Sequence, residues 1–469
     1  MNRVLLAAAF AILCSGTASA QAANLLSPGE VIPKVVCAAN SQQSYALYLP
    51  SQFSPSKRWP IIYAFDPAAR GQVAVESIRA AAERYGYIVV GSNNSRNGRE
   101  AVSADAAKAM WQDTQERFPV DEHRRYLAGM SGGSRLVTAL ALQCDGCVAG
   151  VIANAAGFPV NRKPSTALKF AYFATVGDAD FNYEEFLELR LELEDSRSQY
   201  SIRVFEGQHG WAPPEVWLDA LDWMDMQAIR AKFLERDSVR IQQSYDAATQ
   251  RASRLLSEKD FLAAFRDYQS AVREFTGLTD VSAAEKMVAE LSRDKRVKSA
   301  EKEESSAVAD QLRLMQSPSA QMDALAEGNM SPSEFMTLRG DLRDLQRQTT
   351  SSHGKGDSQA LVRLRAVSGL VIQAFEAGQS SMDQKKYDAA LHFFDLVVAG
   401  SKNQGWGHYH RARVYAAMAD KKHMLAELKS ALEAGFRDPS ALGEPEFAAF
   451  QQEPEFQEIA RKWSASSAQ

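Results

Sequence analysis

Cysteine and histidine are scarce in this sequence: 469 residues carry four of the first and seven of the second. A scaffold held by many disulfides or an array of zinc sites is therefore excluded. Positive charge is not in surplus either. The formal net charge is -5, which gives no electrostatic basis for binding nucleic acid or an anionic membrane. After the first twenty residues no apolar run is long enough to cross a bilayer. With 45% hydrophobic and 24% charged residues the chain has ordinary globular content, enough for two or three domains.

The opening residues, "MNRVLLAAAFAILCSGTASA", have the build of a secretory signal. Arg3 precedes a short apolar run, and Ala18-Ser19-Ala20 supplies the small residues of a cleavage site. Residues 1–20 are expected to be removed, leaving the chain in the periplasm or outside the cell. Lipid attachment at Cys14 is disfavoured by the bulky Leu13 before it. Of the cysteines that remain, Cys144 and Cys147 are a candidate local disulfide for an oxidising compartment, and Cys37 is left without an assigned partner. As half of a zinc site the Cys144–Cys147 pair lacks a second ligand pair. It also follows a helical stretch, where a thioredoxin-like redox motif would open one.

Periodicity divides the chain near residue 235. Before it, "SYALYLP", "WPIIYAFD", "YGYIVVGSN", "RRYLAGM", "VAGVIANA", "LKFAYFATV" and "YSIRVFEG" read as strands. Helical stretches such as "VESIRAAAERY" and the segment from Ala106 to Phe118 lie between several of them. Nearly continuous apolar strands alternating with helices predict a mostly parallel sheet covered on both faces, an α/β fold. In such sheets ligands bind beyond the carboxyl ends of the strands.

Ser131 lies at such an end. Gly129-Met130-Ser131-Gly132-Gly133 fits G-x-S-x-G, follows the apolar strand "RRYLAGM" and precedes the helix "SRLVTALALQ". In that context a serine is held in strained backbone with its hydroxyl exposed, as a nucleophile requires. A base for it must be His123 or His209. His123 stands before the strand that ends at Ser131, and seven residues of extended chain put the two roughly 20 Å apart. His209, in "FEGQHGWAPPEV", follows the last strand and is the candidate base. "FATVGDADFNY" offers Asp178 and Asp180 as the acid that orients it.

Three segments, "YLAGMSGG", "VGDADFNY" and "GQHGW", make the region from about residue 40 to 230 resemble a secreted α/β-hydrolase of the esterase type. It is similar to the polyhydroxybutyrate depolymerase and feruloyl esterase group. The resemblance implies an α/β-hydrolase fold and hydrolysis of a carboxylic ester by Ser131, Asp180 and His209, in the chain order of that fold. Asp180 is preferred because in such hydrolases the acid commonly lies three residues after a glycine, here Gly177. Asp178, directly after the glycine, is expected to cap the turn. The resemblance also implies an oxyanion hole of backbone N–H groups. Gly132 would give one, and the loop "FDPAARG" the other. Pro67 has no N–H, which makes Ala68 the choice there. This loop departs from the His-Gly run usual in the group. Phe158, Phe181, Tyr183 and Trp211 are either pocket-lining or packing aromatics. No cofactor and no metal is expected.

Beyond residue 235 the pattern is that of helix pairs. Ala390 and Met424, Phe394 and Leu428, and Val397 and Ala431 match at the tetratricopeptide period of about 34 residues. Ala412 and Tyr415 fit the first helix of the second unit, and Ala252, Ala264, Tyr268 and Ala271 mark an earlier hairpin. Ala283 to Leu314 reads as a charged helix and "QTTSSHGKGDSQ" as a linker. The expected domains are the hydrolase at 36–232, a helical region at 236–348, a linker at 349–358 and tetratricopeptide-like repeats at 359–463. A chain ending near Ala231 should on this reading retain the whole site.

The repeats suit binding of a protein or peptide partner, or packing that stabilises the hydrolase. His353, His392, His408, His410 and His423 lie in this part, and the spacing of His408 and His410 points them apart on a helix, against a metal site. The rival functional readings are a serine peptidase on the same three residues and a repeat-based binding protein whose hydrolase domain no longer turns over.

Overall fold

Seven consecutive residues of "WPIIYAF" and seven of "AYFATVG" are buried, as strands sandwiched between helix layers must be. The computed structural model describes residues 26–98, 100–164, 166–350 and 358–466. The expected signal segment, His353 and most of the expected linker lie outside the described residues. Two compact units divide the chain, Met1–Ala300 and Glu301–Gln469.

The first unit is built on one eight-stranded sheet. Its strands are β1 (Val31–Val36), β2 (Ser44–Tyr48), β3 (Trp59–Phe65), β4 (Ile88–Ser92), β5 (Val120–Met130), β6 (Gly150–Asn154), β7 (Ala171–Gly177) and β8 (Tyr200–Phe205). They lie in the order β1-β2-β4-β3-β5-β6-β7-β8, an α/β-hydrolase-like sheet. β1 and β2 are antiparallel to their neighbours; β4, β3 and β5 to β8 run parallel. Helices α1 (Gly71–Tyr85), α2 (Glu100–Arg117), α3 (Gly132–Gln143), α4 (Tyr183–Asp195) and α5 (Pro214–Arg230) supply the crossovers and the last cover.

Side chains alternate between the two faces of each strand. Ile62, Ala64, Ala128, Ile152 and Phe173 pack with Val75 and Ile78 of α1 and Trp217 and Leu221 of α5. Their neighbours in sequence face the other way: the Tyr63 hydroxyl lies 2.8 Å from Thr114 Oγ1 on α2, and the Tyr172 hydroxyl 3.3 Å from Thr138 Oγ1 on α3.

The unit does not end where the sequence periodicity changes. Helices α6 (Ser238–Ser257), α7 (Phe261–Phe275) and α8 (Ser282–Leu291) belong to it. Arg203 of β8 is 7% exposed and donates to Glu274 of α7 at 3.3 Å, while Ser201 Oγ donates to the same carboxylate at 2.7 Å. Asp225 of α5 likewise accepts from Tyr87 at 2.6 Å, Arg124 at 2.8 Å and Arg240 of α6 at 2.6 Å. The first compact unit thus extends to Ala300, beyond the 232–236 boundary expected from periodicity. Glu274 and Arg240, beyond residue 235, are the partners of buried charges on the sheet and on α5, and such charges are stable only when paired.

The second unit is helical. Within α9 (Lys295–Ala326) the division falls, and α10 (Pro332–Thr350), α11 (Ser358–Asp383), α12 (Tyr387–Gly400), α13 (Gly405–Ala417), α14 (Lys421–Glu433) and α15 (Pro454–Ser466) follow. Ala390, Phe394, Val397, Met424, Leu428 and Ala431, the residues matched in sequence, are all fully buried. One turn recurs. Lys259, Lys385 and Ala419 each adopt a left-handed conformation, with φ of 68°, 60° and 58°, at the same place between α6 and α7, α11 and α12, and α13 and α14. Among the described residues no helix is long and apolar enough to cross a membrane.

Candidate active site

Register brings the carboxyl ends of four neighbouring strands level. Met130 pairs with Asn154, Asn154 with Thr175, and Gly177 with Phe205, so the loops after β5, β7 and β8 leave from one edge. Ser131, Asp180 and His209 lie on those three loops.

Ser131 stands between β5 and α3 with φ 55° and ψ -122°, backbone that a residue with a side chain adopts only at a cost of about 1–3 kcal/mol. The surroundings hold it there. Its N–H donates to Asn154 O at 2.9 Å, and its carbonyl accepts from Ser134 at 2.9 Å and Arg135 at 3.2 Å. The close passage of strand and helix explains the flanking glycines. A methyl group on Gly129 would fall 2.2 Å from the Gly133 carbonyl oxygen, and one on Gly133 2.0 Å from that of Phe65.

His209 and Asp180 are in direct contact. His209 Nδ1 lies 2.9 Å from Asp180 Oδ1 and 3.1 Å from Oδ2. Asp180 is fully buried and also accepts from Asn182 N at 2.9 Å. His209 keeps 18% of its side chain exposed, and the Phe181 ring lies 4.2 Å from its own. The Asp180 contact occupies Nδ1 and leaves Nε2 as the nitrogen available for proton transfer. Asp178 Oδ1 accepts from Gly207 N at 2.9 Å, linking the acid loop to the histidine loop. Among the described residues the Ser131 hydroxyl forms no hydrogen bond, to His209 or elsewhere. Such contacts are often long without substrate and tighten in the complex.

Two residues that sequence reasoning did not single out complete the frame. Asn154 Nδ2 donates to Gly129 O at 3.1 Å, while its Oδ1 accepts from Thr175 Oγ1 at 2.9 Å and from Ala212 N at 3.4 Å. One buried amide thus ties the serine strand to β7 and to the histidine loop. Asp66, also fully buried, takes Trp211 Nε1 at 2.9 Å and a bidentate pair of bonds from Arg70 at 2.9 and 3.0 Å.

The same Asp66 engages the loop that holds Ala68. Ala68 N donates to Asp66 Oδ1 at 2.9 Å, and Ala69 N to Asp66 O at 3.2 Å. "DPAA" is a turn closed by its own aspartate, so the Ala68 N–H is committed inside the loop. Gly132 is the first residue of α3. Of the four aromatics, Phe158 and Tyr183 are buried packing residues, Phe158 stacking on Tyr172 with ring centres 5.2 Å apart. Phe181 and Trp211 belong to the histidine surroundings.

Cys144 and Cys147 are joined by a disulfide, and Cys37 is a buried free thiol. Burial, with Asp113 adding to it, pushes that thiol up to about 11, away from the reactive thiolate. Among the described residues no cluster of histidine, cysteine and carboxylate side chains could hold a metal ion.

No family model and no curated protein sequence matches the chain. Solved structures similar to part of it include S-formylglutathione hydrolase from Staphylococcus aureus, at 15% identity over 39% of this chain and 90% of that one, with a TM-score of 0.33. A ferulic acid esterase is similar at 19% identity over 41% and 94%, TM-score 0.32. Esterase 2 of Thermogutta terrifontis is similar at 15% over 45% and 98%, TM-score 0.34.

Proposed function

We propose that the chain is an exported serine hydrolase that cleaves a carboxylic ester with Ser131 as nucleophile, His209 as base and Asp180 as orienting acid. The observation that carries this reading is the strained Ser131 on the same sheet edge as a histidine whose Nδ1 is held by a buried carboxylate.

In the first half-reaction Ser131 Oγ bonds to the acyl carbon as its proton passes to His209 Nε2. The carbonyl π pair moves onto oxygen, where the Gly132 N–H can receive it. Collapse breaks the bond from acyl carbon to alkoxy oxygen, and the alcohol leaves with the proton from His209. Water then repeats the sequence on the acyl-enzyme, restoring the serine. Asp180 keeps the proton of the neutral ring on Nδ1 and stabilises the imidazolium that forms. The second unit is read as tetratricopeptide-like repeats that bind a protein or peptide, supported by the recurrent left-handed turn and the buried matched positions.

A panel of p-nitrophenyl esters of graded acyl length, alongside anilides of the same acids, tests the reaction class. Turnover of esters that disappears in Ser131→Ala supports the proposal. Turnover of the anilides at comparable kcat/KM would point to a peptidase, and a wild-type chain inert to the whole panel would leave a binding protein.

A further inference from the structure

With Ala68 and Ala69 both committed to Asp66, the loop after β3 lacks the free N–H at Ala68 expected to face the oxyanion alongside Gly132. The loop after β4 lies beside it. Asn97 N donates to Pro67 O at 3.0 Å, and Arg96 and Ala68 form an antiparallel bridge, so the two loops are zipped together. This places the Asn97 side chain directly over Gly132. A methyl group built on Gly132 would fall 1.9 Å from Asn97 Oδ1 and 2.7 Å from Nδ2. Glycine at 132 therefore also makes room for the amide, besides beginning a helix.

Among the described residues the Asn97 amide has no competing hydrogen bond. Asn97 is exposed, and among the described residues its side chain makes no hydrogen bond. The two ends of an asparagine amide interchange by a half turn, and the group it meets decides which end is presented. An alkoxide forming beside the Gly132 N–H selects the NH2 end. Resting on the reading of Ser131 as the nucleophile, we infer that Asn97 is a catalytic residue, its Nδ2 donating to the acyl oxygen together with the Gly132 N–H. A side-chain amide thus supplies the donor that Ala68 does not. In the tetrahedral step above, the carbonyl π pair arrives on an oxygen held between one backbone and one side-chain N–H. Both bonds strengthen as negative charge develops, so the gain falls on the transition state more than on bound substrate.

The test compares wild type with Asn97→Ala and Asn97→Asp on p-nitrophenyl acetate, with phenylboronic acid as a mimic of the tetrahedral state and a thermal melt of each protein. For Asn97→Ala, loss of one such donor should lower kcat by about 10²- to 10³-fold with KM little changed. The affinity for the boronate should fall by a comparable factor. Asn97→Asp has nearly the same shape, and its carboxylate should lower kcat at least as far, which a purely structural role would not produce. Unchanged kcat in Asn97→Ala, or a rise in KM alone, would overturn the assignment while turnover by wild type upheld Ser131. A wild-type chain that neither hydrolyses the ester nor reacts with a fluorophosphonate would overturn the reading beneath it as well.

Discussion

The two units of this chain differ in the sequence span of their principal polar pairs. In the sheet unit the decisive pairs join residues far apart in sequence: Arg124 with Asp225, Arg203 with Glu274, His209 with Asp180, Trp211 with Asp66. In the helical unit many lie within one helix or between helices close in sequence, such as His423 with Asp420, His408 with Glu427 and Arg411 with Asp395. A local architecture repeats one solution, seen in the turn shared by Lys385 and Ala419. A sheet instead gathers unlike loops at one edge, where a nucleophile, a base and an acid can meet.

The sharpest way to break this contrast is at the long-range pair of the candidate site. Asp180→Asn should leave His209 with the wrong tautomer and cut ester turnover by about 10⁴-fold. Asp178→Asn retains an oxygen to accept from Gly207 N and should cost only about 1 kcal/mol of stability, with turnover largely kept. Assaying both with one ester and melting both decides the assignment, and an inactive Asp178→Asn would move the acid by two residues.

The next largest effect concerns the boundary. A chain ending at Ala231 removes Glu274 from Arg203 and Arg240 from Asp225, and a buried pair broken on one side costs about 3–5 kcal/mol. It should be insoluble or molten, whereas a chain ending at Ala300 should melt cooperatively and turn over the same ester. Equal stability of the two would show that the α6–α8 helices are dispensable to the sheet.

These cases show what was legible in the sequence. The alternation of buried strands and helices, the serine turn and the position of His209 can be read locally, because each is a pattern within a dozen residues. Asn154 and Asp66 cannot, since an asparagine ending a strand or an aspartate before proline gains its role only from partners on other strands. The Ala68 contact has a nearer origin. Asp66 two residues earlier is an acceptor suited to close the turn on Ala68 N, a signal present within the loop itself. The reach of the first unit to Ala300 is not legible locally, because Arg240 and Glu274 gain their roles only from Asp225 and Arg203.

A smaller effect probes the helical unit. His410 is buried among the rings of Phe375, Phe394, Trp406 and Tyr409. Desolvation, with Arg413 adding to it, lowers its pKa well below 6.5. The unfolded chain therefore binds a proton that the folded chain refuses. Stability from this group is complete above about pH 6.5 and is lost as pH falls below it, by at most about 1.4 kcal/mol per pH unit. His410→Phe should flatten the melting-temperature profile between pH 6.5 and 5, and an unchanged slope would assign the acid sensitivity to other groups.

The central claim, that Ser131 is a nucleophile activated by His209, is tested most directly by covalent capture. The full chain is treated with a fluorophosphonate, and its intact mass and labelled peptide are measured beside Ser131→Ala and His209→Ala. The account predicts one adduct per chain on the peptide holding Ser131, none in Ser131→Ala, and labelling slowed by orders of magnitude in His209→Ala. An unlabelled wild type, or equal labelling of the Ser131→Ala chain, would contradict it.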